Sequence, residues 1–212
     1  MKRINDLIKT IVAFIENRDI AIVGIDGLGG SGKSTLAENV AEVLSYKGIN
    51  NVVLHLDDFI FPRSVRYNDN YSQWLCYYNL QWRYDYLINE IIHPLKTDGV
   101  IDRKIEIYDN DCDVYKTESF KISGKAIVII EGVFLQREEL TGVFDYVVYV
   151  DVPESIRLQR VLTRDTYIGS EKDITQKYVD RYFPAEQYYV DRYSPSVKAD
   201  WVCDNSEQKG KQ

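Results

Sequence analysis

The 212-residue sequence predicts an α/β fold: a five-stranded, mostly parallel sheet with helices on both faces, three layers in all. Three observations predict it. Apolar, β-prone runs alternate with helix-period patterns from end to end, which is the pattern of βαβ units. The first such run is followed at once by Gly27-Leu28-Gly29-Gly30-Ser31-Gly32-Lys33-Ser34, the G-x-x-x-x-G-K-[ST] spacing of a phosphate-binding loop. Two other runs end in acids, Asp57-Asp58 and Glu131, at strand ends where open parallel sheets gather their ligands.

Taken in order, residues 2–17 carry Ile4, Leu7, Ile8, Ile11, Val12 and Ile15 at helical spacing. This is an amphipathic helix laid on the domain, since its polar face mixes both charge signs rather than presenting the cationic face of a membrane-surface helix. Ile20–Asp26 reads as a buried strand, and the phosphate loop opens the next helix, 34–47, which Gly48 closes. Glycines let backbone N–H groups approach phosphate oxygens, and the helix N-terminus adds positive partial charge. The candidate phosphate contacts are Gly27, Gly29, Gly30, Ser31, Gly32, Lys33, Ser34 and Thr35.

Asn51–Leu56 is the second strand and ends in Asp57-Asp58-Phe59-Ile60-Phe61-Pro62. Residues 63–82 are polar and aromatic and read as a loop leading into a helix that runs to about His93, with Pro94 after it. Their aromatic density fits equally a pocket for a flat substrate or packing under a long connection. Residues 100–122 alternate around Asp109–Asp113 and predict a hairpin-like insert. That acidic turn lacks the glycine and distal glutamate of a calcium loop, so a solvated turn is expected. Strands follow at 125–132 and 144–151, then a helix opened by Pro153 that carries Arg157, Arg160 and Arg164. Residues 165–173 form a short lid, a helix from Ile174 to about Tyr193 is kinked or broken at Pro184, 199–203 is the last strand, and the polar tail 205–212 frays. No repeat or linker divides the chain, so residues 1–212 make one domain.

Composition excludes several classes. With 45% hydrophobic and 28% charged residues the chain is globular, and a net charge of −7 argues against nucleic acid as its main partner. Cys76, Cys112 and Cys203 form no C-x-x-C pair, so neither a disulfide framework nor a zinc site is expected and a reducing, cytoplasmic setting fits. The charged start predicts no signal peptide, and no apolar run approaches the ~20 residues of a membrane span. Self-association into a homo-oligomer stays open.

Lys33, Ser34, Asp57, Asp58, Glu131 and an arginine-bearing helix are the parts that phosphoryl transfer needs. Lys33 would meet the β- and γ-phosphates of a nucleotide. Ser34, Glu131 and Asp57 are the candidate Mg²⁺ set, with Glu131 at the end of an apolar strand as the organising acid. Asp57 is the candidate base for an acceptor hydroxyl, although either Asp57 or Asp58 could also serve as a turn cap. Arg157, Arg160 and Arg164 share a helix face; Arg164, next to the lid, is the first choice for closing over the phosphates and Arg160 the second. Lys172 ranks behind them, and His55 and His93 read as structural.

Ile25–Ala37, Asp57-Asp58-Phe59, Ile130-Glu131-Gly132 and Arg157–Asp165 together resemble the uridine kinase and phosphoribulokinase family; the 57–62 run also resembles bacterial pantothenate kinase. The resemblance spans about residues 20–204. It implies a P-loop NTPase fold of nucleoside-monophosphate-kinase type, ATP with Mg²⁺, a small hydroxylated acceptor, Asp57 as base and Glu131 at the metal site. It places acceptor contacts at Asp58, Phe59, Arg63, Asn79, Tyr108 and Asp109, with Asn79 nearest to the family's ribose-gripping aspartate. The family's histidine beyond the Tyr-Asp pair is absent, with Asp113 near its place, and the lid lacks the usual Arg-Gly-Arg. Uridine or cytidine leads as acceptor, ahead of pantothenate or another small alcohol. From a different class, an NTP-hydrolysing switch or a regulatory nucleotide-binding protein would also use the loop, but no Asn/Thr-Lys-x-Asp base-reading motif is found.

Overall fold

The structure, a computed structural model, describes residues 2–15 and 18–206. The expectations for residues 16 and 17 and for most of the tail, 207–212, lie outside the described residues. The chain runs α1 (Lys2–Ile15), β1 (Ile20–Gly27), α2 (Lys33–Tyr46), β2 (Asn51–His55), α3 (Arg63–Arg66), α4 (Gln73–Asn79), α5 (Tyr84–Leu87) and α6 (His93–Asp98). It continues β3 (Ile101–Asp109), β4 (Val114–Ile122), β5 (Ala126–Gly132), β6 (Tyr146–Asp151), α7 (Glu154–Arg164), α8 (Glu171–Lys177), α9 (Phe183–Tyr193), α10 (Pro195–Lys198) and β7 (Trp201–Asp204).

The main sheet has the order β2-β5-β1-β6-β7, and every pairing in it is parallel. Its central strands are apolar on both faces because both faces are covered. Ala21, Val23 and Ile25 of β1, with Ile127 and Ile129 of β5, pack on Leu7, Ile8 and Ile11 of α1 and Leu36, Val40 and Leu44 of α2. The alternate residues Ile22, Val128 and Ile130 face a second core with Leu87, Ile91, Tyr77 and Tyr189. Gly24 sits where β1 meets Phe144; a Cβ there would lie 2.9 Å from the ring. Strands β3 and β4 pair antiparallel from Ile101↔Ile122 to Asp109↔Val114, the expected insert. In its turn the Asp109 carboxylate accepts the N–H groups of Asp111 and Cys112. The three cysteines are unbridged. Among the described residues no helix is long and apolar enough to cross a membrane.

Two segments depart from expectation. The stretch 63–82 holds α3 and α4 as separate short helices, and its aromatics mostly pack: Tyr77, Tyr78 and Trp82 are buried around the Phe134 ring. The helix expected to stop at His93 continues through Pro94 to Asp98, because a π-turn, Ile88–Ile92, precedes it. Proline lacks an N–H and crowds the carbonyl four residues back, and a wider i→i+5 turn relieves both problems without ending the helix. The same device recurs at Pro184, where the π-turn Tyr178–Tyr182 joins α8 to α9.

Candidate active site

The carboxyl ends of β1, β2 and β5 open into a cleft of about 360 Å³, lined on the loop side by Gly29, Gly30, Lys33 and Ser34. Gly30 and Gly32 have φ of 77° and 91°, left-handed values that glycine adopts without strain. A Cβ on Gly32 would lie 2.6 Å from Asn205 Nδ2, so the outside of the loop is as crowded as the inside is open. Lys33 is buried at the start of α2, and its Nζ donates to Leu28 O at 3.1 Å. The Ser31 hydroxyl is buried beneath the loop near Gly27 and has no protein partner. Thr35 is exposed and does not line the cleft, and Gly27 is walled by Val150.

Helix α7 passes behind the loop, and this fixes where its arginines point. Arg160, expected over the phosphates, instead donates from Nη1 to Ser31 O at 3.2 Å and from Nη2 to Asn205 O at 2.6 Å, on the outer wall. Arg157 is buried there too. Arg164, one turn further on, clears the loop and reaches the cleft, where Nε pairs with Asp165 Oδ1 at 2.7 Å. The lid stretch forms a short turn, Thr166–Ile168, that brings Tyr167 to the cleft. A Ser170–Asp173 capping box then starts α8.

Glu131 at the end of β5 accepts from Ser34 Oγ at 3.0 Å and from His55 Nδ1–H at 2.7 Å. Burial pushes its carboxyl up, but the bonds from His55 and Ser34 and the nearby Lys33 charge outweigh burial and leave it below the ordinary range. The bond to Glu131 in turn raises the His55 imidazole. His55 read as structural in the sequence, yet it bonds the cleft acid Glu131; it is the last residue of β2, and only the parallel pairing of His55 with Glu131 reveals the contact. Asp57 lies on the turn Leu56–Asp58. The residue is exposed to the cleft, and the protein atoms around the cleft mouth partly desolvate its carboxyl. That desolvation, then the Glu131 charge, raise its pKa, against Lys33 and Arg164, which lower it. Burial pushes the Asp58 carboxyl to about 6.

The acceptor end differs most from expectation. Phe59 is fully buried in the core. Asn79 is exposed at the end of α4 and does not line the cleft. Arg63 is exposed and holds the hairpin turn, its N–H donating to Asp113 Oδ1 at 2.8 Å and Nη2 to Asn110 O at 2.6 Å. Asp109 pairs with Lys116. Asp58 and Tyr108 do line the cleft. Beside them stand Arg66, Gln81 and Asn110, which sequence reading missed. Arg66 Nη2 donates to Tyr108 OH at 2.8 Å, and that hydroxyl donates to Asp113 Oδ1 at 2.5 Å. Arg66 follows Arg63 by three residues, so one turn of α3 sets both beside the hairpin turn, and only the packing that buries Arg66 and leaves Arg63 exposed tells them apart.

These residues fit a nucleotide with Mg²⁺. A buried ammonium with only a carbonyl acceptor stands on the loop, and a hydroxyl and a carboxylate oxygen lie together beside it, hard donors of the kind Mg²⁺ takes. No group of three His, Cys, Asp or Glu that could hold a metal exists among the described residues, so phosphate oxygens and waters would complete the shell.

The family model described as phosphoribulokinase/uridine kinase family matches residues 22–204. A uridine kinase of Anoxybacillus flavithermus is 31% identical over 150 residues, 68% of this chain and 66% of the relative's own length. A uridine kinase of Geobacillus kaustophilus is 30% identical over 151 residues, with the same two shares. The chain thus spans just under two thirds of the length of these relatives. The structure of a possible uridine kinase from Bacillus stearothermophilus superposes with a TM-score of 0.79 at 35% identity, covering 96% of this chain and 98% of that one.

Proposed function

The chain belongs to the phosphoribulokinase/uridine kinase family, and on that premise we propose that it is an ATP-dependent kinase of a small hydroxylated molecule, nucleoside-like, with uridine or cytidine as the leading acceptor. The observation that carries the reading is one cleft holding Lys33 on the phosphate loop, Ser34 bonded to Glu131, Asp57 and Arg164. The names of the relatives support the acceptor class.

In this reading the loop amides and Lys33 hold the donor's phosphates. Ser34 and Glu131, with Asp57 nearby, would hold Mg²⁺, which supplies neutralising charge to the β- and γ-phosphates. Asp57 orients the acceptor hydroxyl and takes its proton. The hydroxyl oxygen forms a bond to the γ-phosphorus as the bond from phosphorus to the β–γ bridging oxygen breaks, and ADP leaves. A carboxylate whose pKa lies above the ordinary range is the stronger base for that step. Arg164 adds positive charge from the lid side. Asp58, Tyr108 and Arg66 are the acceptor contacts.

ADP release measured against uridine, cytidine, pantothenate and simple sugars tests the reading. Acceptor-dependent release with uridine or cytidine is expected. Release that no acceptor changes would replace a kinase with a nucleotide-hydrolysing switch.

A further inference from the structure

Glu186 lies on α9, far from the loop in sequence, and no motif pointed to it. It is 2% exposed and lines the cleft wall. Its Oε1 accepts the N–H of Gly29 at 2.7 Å, and its Oε2 accepts from Arg157 Nη1 at 2.7 Å. Arg157 Nη1 also donates to the carbonyl of the same Gly29 at 3.0 Å, while its Nε is anchored on Val152 O at 3.1 Å. The N–H and C=O of Gly29 are therefore both held by one buried ion pair. A Cβ on Gly29 would come within 3.0 Å of Glu186 Oε1, although the backbone there is not left-handed.

We propose that the Glu186–Arg157 pair is a clamp that presets the phosphate loop, making Glu186 a positioning residue for donor binding. The argument is peptide geometry. In a planar trans peptide the N–H of residue i+1 points opposite to the C=O of residue i. With Gly29 O held outward by Arg157 and Ser31 O held outward by Arg160 and Asn205, the N–H groups of Gly30 and Gly32 turn to the concave side. A loop of glycines has many competing conformations, and ordering it on binding would cost conformational entropy. A charge-assisted, buried clamp removes that cost in advance. Burial raises the Glu186 carboxyl while Arg157 and the Gly29 N–H oppose the rise, so the anion depends on the two groups it holds.

The inference rests on the donor reading given above, and its test separates the two. MgATP affinity, without acceptor, and exchange of the residue-29 amide by NMR are measured in wild type, Glu186→Gln, Glu186→Ala and Gly29→Ala. In wild type the Gly29 amide is protected. In Glu186→Ala it exchanges freely and affinity falls about tenfold, the scale of one hydrogen bond to a charged group. Glu186→Gln keeps an acceptor oxygen and recovers part of both. The Glu186→Ala and Gly29→Ala losses do not add in the double variant, because either change breaks the same clamp. An unprotected Gly29 amide in wild type, unchanged affinity in folded Glu186→Ala, or additive losses would overturn the proposal. If Glu186→Ala does not fold, unchanged affinity in Gly29→Ala overturns it alone. If wild type binds no MgATP, the donor reading fails, and residue-29 exchange still decides the clamp.

Discussion

Asp57 illustrates how a single residue acquires its chemistry from neighbours. Its carboxyl is raised first by desolvation and then by Glu131, and lowered by Lys33. The two neighbours give opposite signs, which makes the account testable in the metal-free protein. By NMR titration, Glu131→Gln should move the Asp57 midpoint down, toward an ordinary carboxylate, and Lys33→Ala should move it up. Asp57→Asn should leave MgATP affinity near wild type and lower kcat by about 10²–10⁴-fold, the usual contribution of a positioned base; wild-type turnover in that variant would remove Asp57 from the role. Lys33, Ser34, Asp57 and Glu131 were all legible because each is fixed by a strand end and a short motif. Arg160 and Asn79 were not, because the side of a helix that meets the site is set by what the helix packs against. The sequence places Arg157, Arg160 and Arg164 on one face, but only the passage of α7 behind the loop decides that two of them grip carbonyls and one reaches the cleft.

At the scale of elements, the turn carrying Asp57 is seated on the end of β5. A Cβ on Gly132 would lie 2.5 Å from the Leu56 Cβ, so the glycine is where strand and turn touch. Gly132→Ala should therefore cost about 1–3 kcal/mol of stability by overpacking and lower kcat by displacing Asp57. Adding Leu56→Ala should restore little activity and no stability, since alanine keeps the Cβ that the clash meets and opens a cavity besides; urea unfolding and turnover on the same samples decide this. The strands and their parallel arrangement were legible from long apolar runs, since a strand buried on both faces shows no alternation. The helices around Pro94 and Pro184 were not, because a local rule ends helices near proline and tertiary packing instead carried both through a π-turn.

For the whole molecule, the proposed donor site belongs to a frame built from β1, β5, α2, α7 and α9, so ligand binding should report on global stability. MgATP at about 100 times its Kd should add about 2.7 kcal/mol and raise Tm by about 5–10 °C, with the rise lost in Lys33→Ala; scanning calorimetry without acceptor measures both. The frame also gives the π-turn at Tyr178–Tyr182 a further consequence. One extra residue in a helical turn rotates everything after it by about 100°. Ile174 before the turn and Tyr178 at its start face inward, and Glu186, Tyr189 and Tyr193 face inward after it. Wound instead as uniform α-helix with every residue kept, the downstream helix would be out of phase, with Tyr189 and Tyr193 drifting off the core and Glu186 aimed past Gly29. Deleting one residue within 178–182 removes the extra residue and the wide turn together, and should leave a more regular helix with the carboxylate still aimed at Gly29. The angular offset of a single residue, introduced well beyond the phosphate loop, is what brings the clamp to it.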